Sequence, residues 1–331
     1  MVTLKASSLQ DFVGEIFVKA GCSAEEGARV GRYLVAANLT GHDSHGVVRV
    51  PRYVQMKAEG QIHADRKVEV VVETPFGPTS DPIITGRLNG MPVAFLARHG
   101  RGHRYLPTEV PVRANIYALK SIGVQWIIAV SAVGSMREEL APRDVVIPDQ
   151  LFDRTMHRPG TFFGDGIVAH VGFADPFCPH LSASLGDVAS RSGITAHRGG
   201  TYVCIEGPQF SSRAESLVFR QWGIDIIGMT AIPEARLARE AEICYGMLAF
   251  VTDYDVWREN EEAVTVEMVI RNLQANVSAG QRIVTEAVSH VRHDRKCQCA
   301  SALHGAIMTA PDRIPEATRR RLGPIVSRYL S

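Results

Sequence analysis

Residues 224–234 join a strand pattern to a helix pattern, and this junction constrains the fold more than any other stretch of the chain. The run begins with β-branched residues that suit a buried strand, and Gly228 lets another group approach the backbone closely. Pro233 is placed for the first turn of a helix that follows directly. Met229 and Thr230 are therefore predicted to lie at the carboxyl end of a strand, where α/β proteins place ligands.

A second apolar run, residues 250–257, contains two carboxylates that are two positions apart, Asp253 and Asp255. If the extended conformation persists, both side chains point to the same face of the strand. Two neighbouring carboxylates raise each other's pKa, which favours a protonated acid at one of them. From the residues alone the pattern favours an ordinary solvated strand end, and the alternative is a protonated acid that can donate to a ligand.

The composition is ordinary for a globular protein, with 45% hydrophobic and 21% charged residues. A net charge of +1 gives no reason to expect nucleic acid or an anionic membrane as a partner. No apolar run approaches the ~20 residues that a membrane helix needs, and residues 1–5 lack the apolar core of a signal peptide. We therefore expect a cytoplasmic protein that binds neither nucleic acid nor membrane.

Six cysteines are scattered along the chain, most of them in apolar surroundings, which favours buried reduced thiols over a disulfide framework. Cys297 and Cys299 form a C-x-C pair that is compatible with redox chemistry or with metal binding. One such pair without a second is weak evidence for zinc. The sequence therefore favours packing or incidental pairing, and no metal site is predicted.

Two loops after predicted strands suit an anion. Arg98 and His99 follow the predicted strand 92–97, and an arginine forks onto phosphate oxygens while a histidine donates beside it. Residues 131–135 follow the predicted strand 124–130 and offer backbone N–H groups and small hydroxyls. The alternatives are a solvated basic loop for the first and a simple turn for the second.

These stretches, together with residues 98–101, 131–135 and 206–210, resemble the S-methyl-5'-thioadenosine phosphorylases, within the purine nucleoside phosphorylase family. The resemblance runs from about residue 73 to about residue 291 in the same order and spacing. It implies an α/β fold with a purine nucleoside phosphorylase-like mixed sheet and surrounding helices. Relative to that family, the chain lacks the opening strand and the glycine-rich loop whose Ser or Thr contacts phosphate.

The resemblance implies phosphorolysis of S-methyl-5'-thioadenosine to adenine and 5-methylthioribose-1-phosphate, with Asp253 as the catalytic acid that protonates the leaving purine. The phosphate-binding residues that it implies are Arg98, His99, Ser131, Ala132 and Thr230. The substrate-binding residues that it implies are Met229, Asp253, Asp255, Phe210, Ser211, Val266, Val269, Ile270 and His170. In the family the histidine that corresponds to His170 comes from a neighbouring subunit, and members are usually trimers. The resemblance therefore also implies a homotrimer. Inorganic phosphate is the co-substrate, and no cofactor is expected.

Two alternatives remain open from the residues alone. In relatives that prefer 6-oxopurines an asparagine commonly replaces the base-contacting aspartate, so a 6-oxopurine nucleoside or methylthioinosine phosphorylase is the rival enzyme. Because the first phosphate loop of the family is missing, the other alternative is an inactive protein that binds nucleosides.

The first seventy residues carry a different pattern. Apolar residues at helical spacing predict two helices, of which the second begins with a capping box at Ser23 and Glu26, followed by a third helix. This segment resembles the amino-terminal part of the malate/L-lactate dehydrogenase family, whose D-S-H-G motif implies an active-site role for His45, with Arg49 near a substrate carboxylate. The alternative is a structural turn with an exposed histidine.

Dehydrogenase activity needs a hydride carrier, and the second resemblance stops near residue 74, before a nicotinamide-binding domain would begin. We therefore expect no dehydrogenase activity. The predicted organisation is a helical dehydrogenase-like fragment over residues 1–72, a phosphorylase domain over residues 73–295, and the C-terminal tail of that domain over residues 296–331.

Overall fold

A computed structural model of the protein describes residues 4–62, 64, 68–258, 266–291 and 295–330. The chain divides into two compact units, Met1–Val68 and Glu69–Ser331. The division falls inside the segment where the two sequence patterns meet.

Three helices dominate the first unit: α1 (Ala6–Lys19), α2 (Ala24–Leu39) and α3 (Val50–Ala58). The side chain of Ser23 accepts a hydrogen bond from Glu26 N at 3.2 Å, so the predicted cap of α2 is present. Helices α1 and α2 pack closely because glycines face each other, and a Cβ at Gly27 would lie only 2.6 Å from Gly14 O. The apolar core of this unit contains Val13, Phe17, Cys22, Leu34 and Val50.

The D-S-H-G segment of the first unit forms a short 3-10 helix, Asp43–His45, with an exposed histidine. Ser44 Oγ lies 3.0 Å from His45 Nδ1, and Arg49 Nε donates to Ser44 O at 2.6 Å. Asp43 Oδ1 accepts from Asn38 Nδ2 of α2 at 2.6 Å, so the polar groups of the motif bond within the first unit.

The second unit is a mixed α/β structure, which confirms the predicted fold class. The strands are β1 (Val68–Val70), β2 (Ile83–Leu88), β3 (Met91–Phe95), β4 (Trp126–Ser135), β5 (Val145–Ile147), β6 (Gln150–Arg154), β7 (Ala196–Arg198), β8 (Thr201–Ile205), β9 (Ile226–Gly228) and β10 (Cys244–Asp253). The helices are α4 (Val112–Ser121), α5 (Pro179–Arg191), α6 (Arg213–Gln221), α7 (Ala231–Glu240), α8 (Val266–His290) and α9 (Glu316–Val326). The strands form a three-stranded sheet, β1-β2-β3, and a seven-stranded sheet, β6-β8-β9-β4-β10-β5-β7.

Strand β10 lies in the interior of the larger sheet, next to the middle strand β4, and each of its ten residues is buried. It runs parallel to β4, with Cys244 opposite Trp126 and Ala249 opposite Ser131. On its other side it pairs antiparallel with β5. Because β4 and β10 are parallel neighbours, their carboxyl ends lie at the same edge of the sheet. That edge is where the sequence places both the hydroxyl-rich stretch and the two carboxylates.

Residues 131–135 were expected to form a loop after a strand over residues 124–130, and this expectation is wrong. They continue β4, which runs from Trp126 to Ser135. The reason is tertiary pairing, because Ser131 and Ala132 lie opposite Ala249 and Phe250 of β10. Small residues have a weak strand preference that such pairing overrides. The predicted strand over residues 92–97 is β3, which ends at Phe95.

Strand β4 has one open edge. It pairs with β10 from Trp126 to Gly134, but β9 pairs with it only at Gly134 and Ser135. Among the described strands, none pairs with β4 on the β9 side before Gly134. Accordingly, the side chain of Val130 is 45% exposed although the strand is central. The sequence is expected to lack one strand of the family fold, and this open edge of β4 is where such a strand would pair.

Within the described part of the chain, no helix combines the length and the apolar character that crossing a membrane requires.

Candidate active site

Two hydroxyl groups meet where β4 passes the start of α7. Ser131 Oγ and Thr230 Oγ1 lie 3.0 Å apart, and Ser131 is buried. Thr230 directly precedes α7, and its N–H donates to the hydroxyl of Tyr202 at 3.3 Å. Because each hydroxyl can donate to an oxyanion, the pair offers two donors at one point. Ala132, the next predicted phosphate ligand, follows Ser131 along the same strand.

Arg158 fixes the backbone on both sides of Thr230. Its Nη1 donates to Met229 O at 2.7 Å and to Ile232 O at 2.6 Å, and its Nη2 donates to Glu206 O at 2.6 Å. The side chain is only 4% exposed. A buried guanidinium needs such partners, since an unsatisfied charge in the interior is costly. Nothing in the sequence marks this residue, because its hydrogen-bond partners are mainly backbone carbonyls on distant segments and leave no motif.

Arg98 is held by a buried carboxylate from α7. Its Nε and Nη2 donate to the two carboxylate oxygens of Glu234 at 2.8 Å and 3.1 Å. Glu234 also accepts from the hydroxyl of Tyr245 at 2.7 Å. Burial alone would lower the pKa of Arg98, but the adjacent Glu234 carboxylate reverses that effect and keeps the guanidinium charged. Glu234 is on α7, which begins directly after Thr230. The Arg98–Glu234 pair therefore connects Arg98 to the helix that follows the Thr230 hydroxyl.

His99 is half-buried, and its ring stacks on His103 with 4.3 Å between the centroids. Its Nδ1 lies 2.9 Å from Tyr105 O, and because a carbonyl only accepts, Nδ1 carries the proton. Burial lowers the pKa of His99, which favours the neutral ring. In that tautomer Nε2 is an acceptor, so it suits the protonated oxygen of a phosphate. The sequence-based expectation of a donating histidine requires a second proton on the ring.

Asp253 is the last residue of β10 and is buried. Its carboxylate accepts from Thr252 Oγ1 at 2.7 Å and from Asp255 N at 2.8 Å. Asp253 lies opposite Gly134 of β4, where a Cβ would stand 2.9 Å from Asp253 Oδ1. The strand that carries Ser131 therefore also contacts the predicted catalytic acid.

Asp255 does not continue the strand, so the expectation that it shares a strand face with Asp253 is wrong. Its φ is +52°, and its N–H turns back to the Asp253 carboxylate, as in an Asx-turn. The Asp255 carboxylate accepts from Ser211 Oγ at 2.9 Å and 2.7 Å. Burial raises the pKa of Asp255, and hydrogen bonds from Ser216 and Ser211 act against that rise. Two predicted base-pocket residues, Asp255 and Ser211, are thus in direct contact.

Met229 and Phe210 lie on the loops that flank these groups. A Cβ at Gly207 would come within 2.6 Å of Met229 Sδ, so the loop 206–210 and the end of β9 touch at this glycine. Phe210 itself is 45% exposed. Such an exposed aromatic face is available to a ligand, whereas core packing, the alternative from the sequence, does not apply.

The remaining predicted residues lie further along the chain. On α8, Val269 is half-buried and Ile270 is 48% exposed, while the side chain of Val266 lies outside the described residues. His170 is exposed, and its N–H donates to Ala306 O at 2.9 Å. The roles of Val269, Ile270 and His170 in substrate binding stay predictions.

The family model of the phosphorylase superfamily matches residues 54–289 of the chain. The chain belongs to the phosphorylase superfamily. This phosphorylase also matches a second family model, malate/L-lactate dehydrogenase, over residues 4–81. The two matched ranges overlap in the segment that contains the division between the two units.

Curated relatives of this phosphorylase include proteins from Geobacter sulfurreducens, 55% identical over 79% of the chain and 92% of the relative, and from Chloroflexus aurantiacus, 56% identical over 80% and 92%. Both are named S-methyl-5'-thioadenosine phosphorylase. A crystal structure of a methylthioadenosine phosphorylase from an Antarctic soil metagenomic library is 50% identical, with a TM-score of 0.75, over 79% of this chain and 92% of that one. A Schistosoma mansoni methylthioadenosine phosphorylase in complex with adenine is 34% identical, with a TM-score of 0.71, over 74% and 94%.

Proposed function

We propose that the protein catalyses the phosphorolysis of S-methyl-5'-thioadenosine, which yields adenine and 5-methylthioribose-1-phosphate. Curated relatives that carry this name are more than half identical over most of the chain. The observation on the molecule that supports the proposal is that β4 carries both Ser131, whose hydroxyl lies 3.0 Å from that of Thr230, and Gly134, which lies opposite Asp253 at the end of the adjacent parallel strand β10. This arrangement suits an anion and a leaving purine side by side.

Phosphate is the nucleophile of the reaction, and it must be held against the anomeric carbon. Ser131 and Thr230 donate through their hydroxyls, Ala132 through its backbone N–H, and Arg98 supplies the positive charge. His99 contributes a ring that accepts from a protonated phosphate oxygen. Positioning the phosphate in this way supplies a large part of the rate acceleration, and fixed donors stabilise its charge.

The purine leaves as an anion unless N7 receives a proton. Asp253 is the group that supplies this proton, as a general acid at the end of β10. Asp255, oriented by Ser211, faces the base and accepts from a 6-amino group, which favours adenine over 6-oxopurines. Phe210 packs on the purine face and Met229 lies under the ribose.

The 5'-methylthio group is bound by apolar side chains, since an apolar pocket favours a thioether over a hydroxyl. Val266, Val269 and Ile270 of α8 form this pocket, and His170 completes it across a subunit contact. The active form is accordingly a homotrimer. The reaction takes place in the cytoplasm with inorganic phosphate as co-substrate and with no cofactor.

The test is adenine release by the purified full chain, with and without phosphate, monitored by the absorbance change of the freed base. We expect release that depends on phosphate and is faster with methylthioadenosine than with methylthioinosine or inosine. The opposite order identifies a 6-oxopurine phosphorylase. A folded chain that releases no base, but binds adenine and not phosphate in calorimetry, is the inactive nucleoside-binding protein.

A further inference from the structure

Four of the six cysteines meet in the second unit: Cys178, Cys244, Cys297 and Cys299. Their sulfur atoms all lie within 4.8 Å of one another; Cys178, Cys244 and Cys299 are buried, and Cys297 is half-buried. Cys244 Sγ and Cys297 Sγ are 3.4 Å apart. These four residues, here called the four-cysteine cluster, lie outside the candidate active site.

Three separate segments supply the cluster. Cys178 precedes α5, and its N–H donates to Tyr245 O at 2.8 Å, which places it beside Cys244 at the start of β10. The C-x-C pair starts the short 3-10 helix Gln298–Ser301. Glu242, two residues before β10, anchors this last segment on both sides of the pair.

The anchoring bonds are specific and buried. Arg295 Nη1 donates to Glu242 O at 2.6 Å, and Leu303 N donates to Glu242 Oε1 at 3.1 Å. Glu242 is only 4% exposed. The C-x-C pair is thus held against the sheet by contacts that do not involve the thiols, so the cluster is positioned before any ligand binds.

We propose that the four-cysteine cluster binds one zinc ion as a closed, tetrahedral structural site. Four thiolates at the usual Zn–S distance of about 2.3 Å stand about 3.8 Å apart in a tetrahedron. The observed separations, from 3.4 Å for one pair to an upper limit of 4.8 Å, bracket that value. A tetrahedral set of four thiolates is typical of zinc and of iron–sulfur sites, and a closed set of four cysteines is the usual ligand set of structural zinc.

The position of the cluster assigns it a structural role, independent of the proposed function. Cys244 begins β10 and Asp253 ends it, and a strand of this length spans about 30 Å. A zinc ion there ties the C-terminal segment to α5 and to the sheet. The sequence predicted no metal site because it shows one C-x-C pair alone, whereas the fold brings a second pair of cysteines to it.

The experiment is a metal analysis of the untagged full chain. The protein is expressed with zinc in the medium, purified under reducing conditions without chelators, and analysed by mass spectrometry of the elements. We expect one zinc per chain, released when a mercurial reagent titrates the thiols. Chains loaded with cobalt instead are expected to show the strong visible bands of tetrahedral thiolate coordination.

The matched variants are Cys297→Ala/Cys299→Ala, which removes half of the cluster, and Cys204→Ala, which removes an equally buried thiol outside it. The first is expected to lose zinc and the second to keep one zinc per chain. Zinc retained by the double variant overturns the proposal, because the ion then lies elsewhere. So does a reduced wild-type chain that takes up no zinc, including one whose cluster forms disulfides when the reductant is removed. Iron in place of zinc at the same stoichiometry overturns the assignment of the ion.

Discussion

Replacing Asp253 by asparagine separates its proposed role as an acid from its role in the fold. The carboxylate accepts one hydrogen bond from Thr252 Oγ1 and one from Asp255 N. Asparagine keeps one acceptor oxygen and presents an amide N–H₂ to the other donor. Leaving one buried donor unsatisfied costs about 1–3 kcal/mol, which is less than the 5–15 kcal/mol by which typical domains are stable. Asp253→Asn is therefore expected to fold.

The loss of activity is expected to be much larger than any loss of folded protein. A general acid contributes about 100- to 10,000-fold, which corresponds to about 3–5 kcal/mol of transition-state stabilisation. To lose 100-fold through unfolding, the unfolded chain would have to outnumber the folded one by about a hundred, which is an unfolding free energy near −2.7 kcal/mol. A thermal melt distinguishes the two cases immediately.

The assay is the rate of adenine release from methylthioadenosine at saturating phosphate, with unfolding midpoints measured in parallel. Asp144→Asn is the matched control, because Asp144 also accepts two hydrogen bonds, from His197 Nε2 at 2.7 Å and from Ala141 N at 3.1 Å. The control is expected to keep wild-type kcat. A nucleoside already methylated at N7 needs no proton to leave, so Asp253→Asn is expected to lose less activity with it. A folded Asp253→Asn whose kcat/KM stays within about tenfold of wild type refutes the general-acid role.

Three further predictions rest on individual contacts. Glu234→Gln removes the charge that pairs with buried Arg98 and is expected to lower the free energy of unfolding by about 3–5 kcal/mol, as measured in urea. A decrease below about 1 kcal/mol, which is typical of an exposed ion pair, contradicts this prediction. Gly134→Ala places a methyl group 2.9 Å from Asp253 Oδ1 and is expected to lower kcat, whereas Gly86→Ala, which meets open space, is not; equal rates for the two variants argue against this placement of Asp253. Burial raises the pKa of Asp255 above its value in the unfolded chain, so the folded state binds the proton more tightly. The stability that this proton binding contributes is present at low pH and is lost as the pH rises above about 4. When the free energy of unfolding in urea is measured against pH, wild type is therefore expected to lose stability relative to Asp255→Asn as the pH rises. Parallel curves for the two proteins contradict the raised pKa of Asp255.

Local signals predicted the parts of the fold that local physics determines. The predicted cap at Ser23 and Glu26 is present at the start of α2, because the two residues lie within one turn. The helix predicted to follow the strand pattern of residues 224–234 is α7. The extent of β4 was not predictable in the same way, since Ser131 and its neighbours become strand only through pairing with β10.

The residues of the candidate site likewise fall into those that local sequence patterns indicate and those that only the tertiary fold brings together. Thr230 and Asp253 were predicted from strand ends, which the sequence marks by apolar runs. The pairing of Arg98 with Glu234 was not predicted, because the two residues are 136 positions apart and only the fold brings them together. The one usable signal was chemical: an arginine whose side chain is largely buried requires an anionic or carbonyl partner inside the protein. The four-cysteine cluster was missed for the same reason.

The open edge of β4 bears directly on the phosphate half of the site. Ser131 and Ala132 lie on the part of β4 that has β10 on one side and no described strand on the other. The resemblance implies that this chain lacks the opening strand of the family and the glycine-rich loop that contacts phosphate, and the open edge of β4 is where such a strand would pair. The purine half, built from Asp253, Asp255 and Ser211, draws on β10 and the loop before α6 and does not depend on that edge. Phosphate affinity is therefore the property in which this chain should differ most from its relatives, while adenine binding should be preserved.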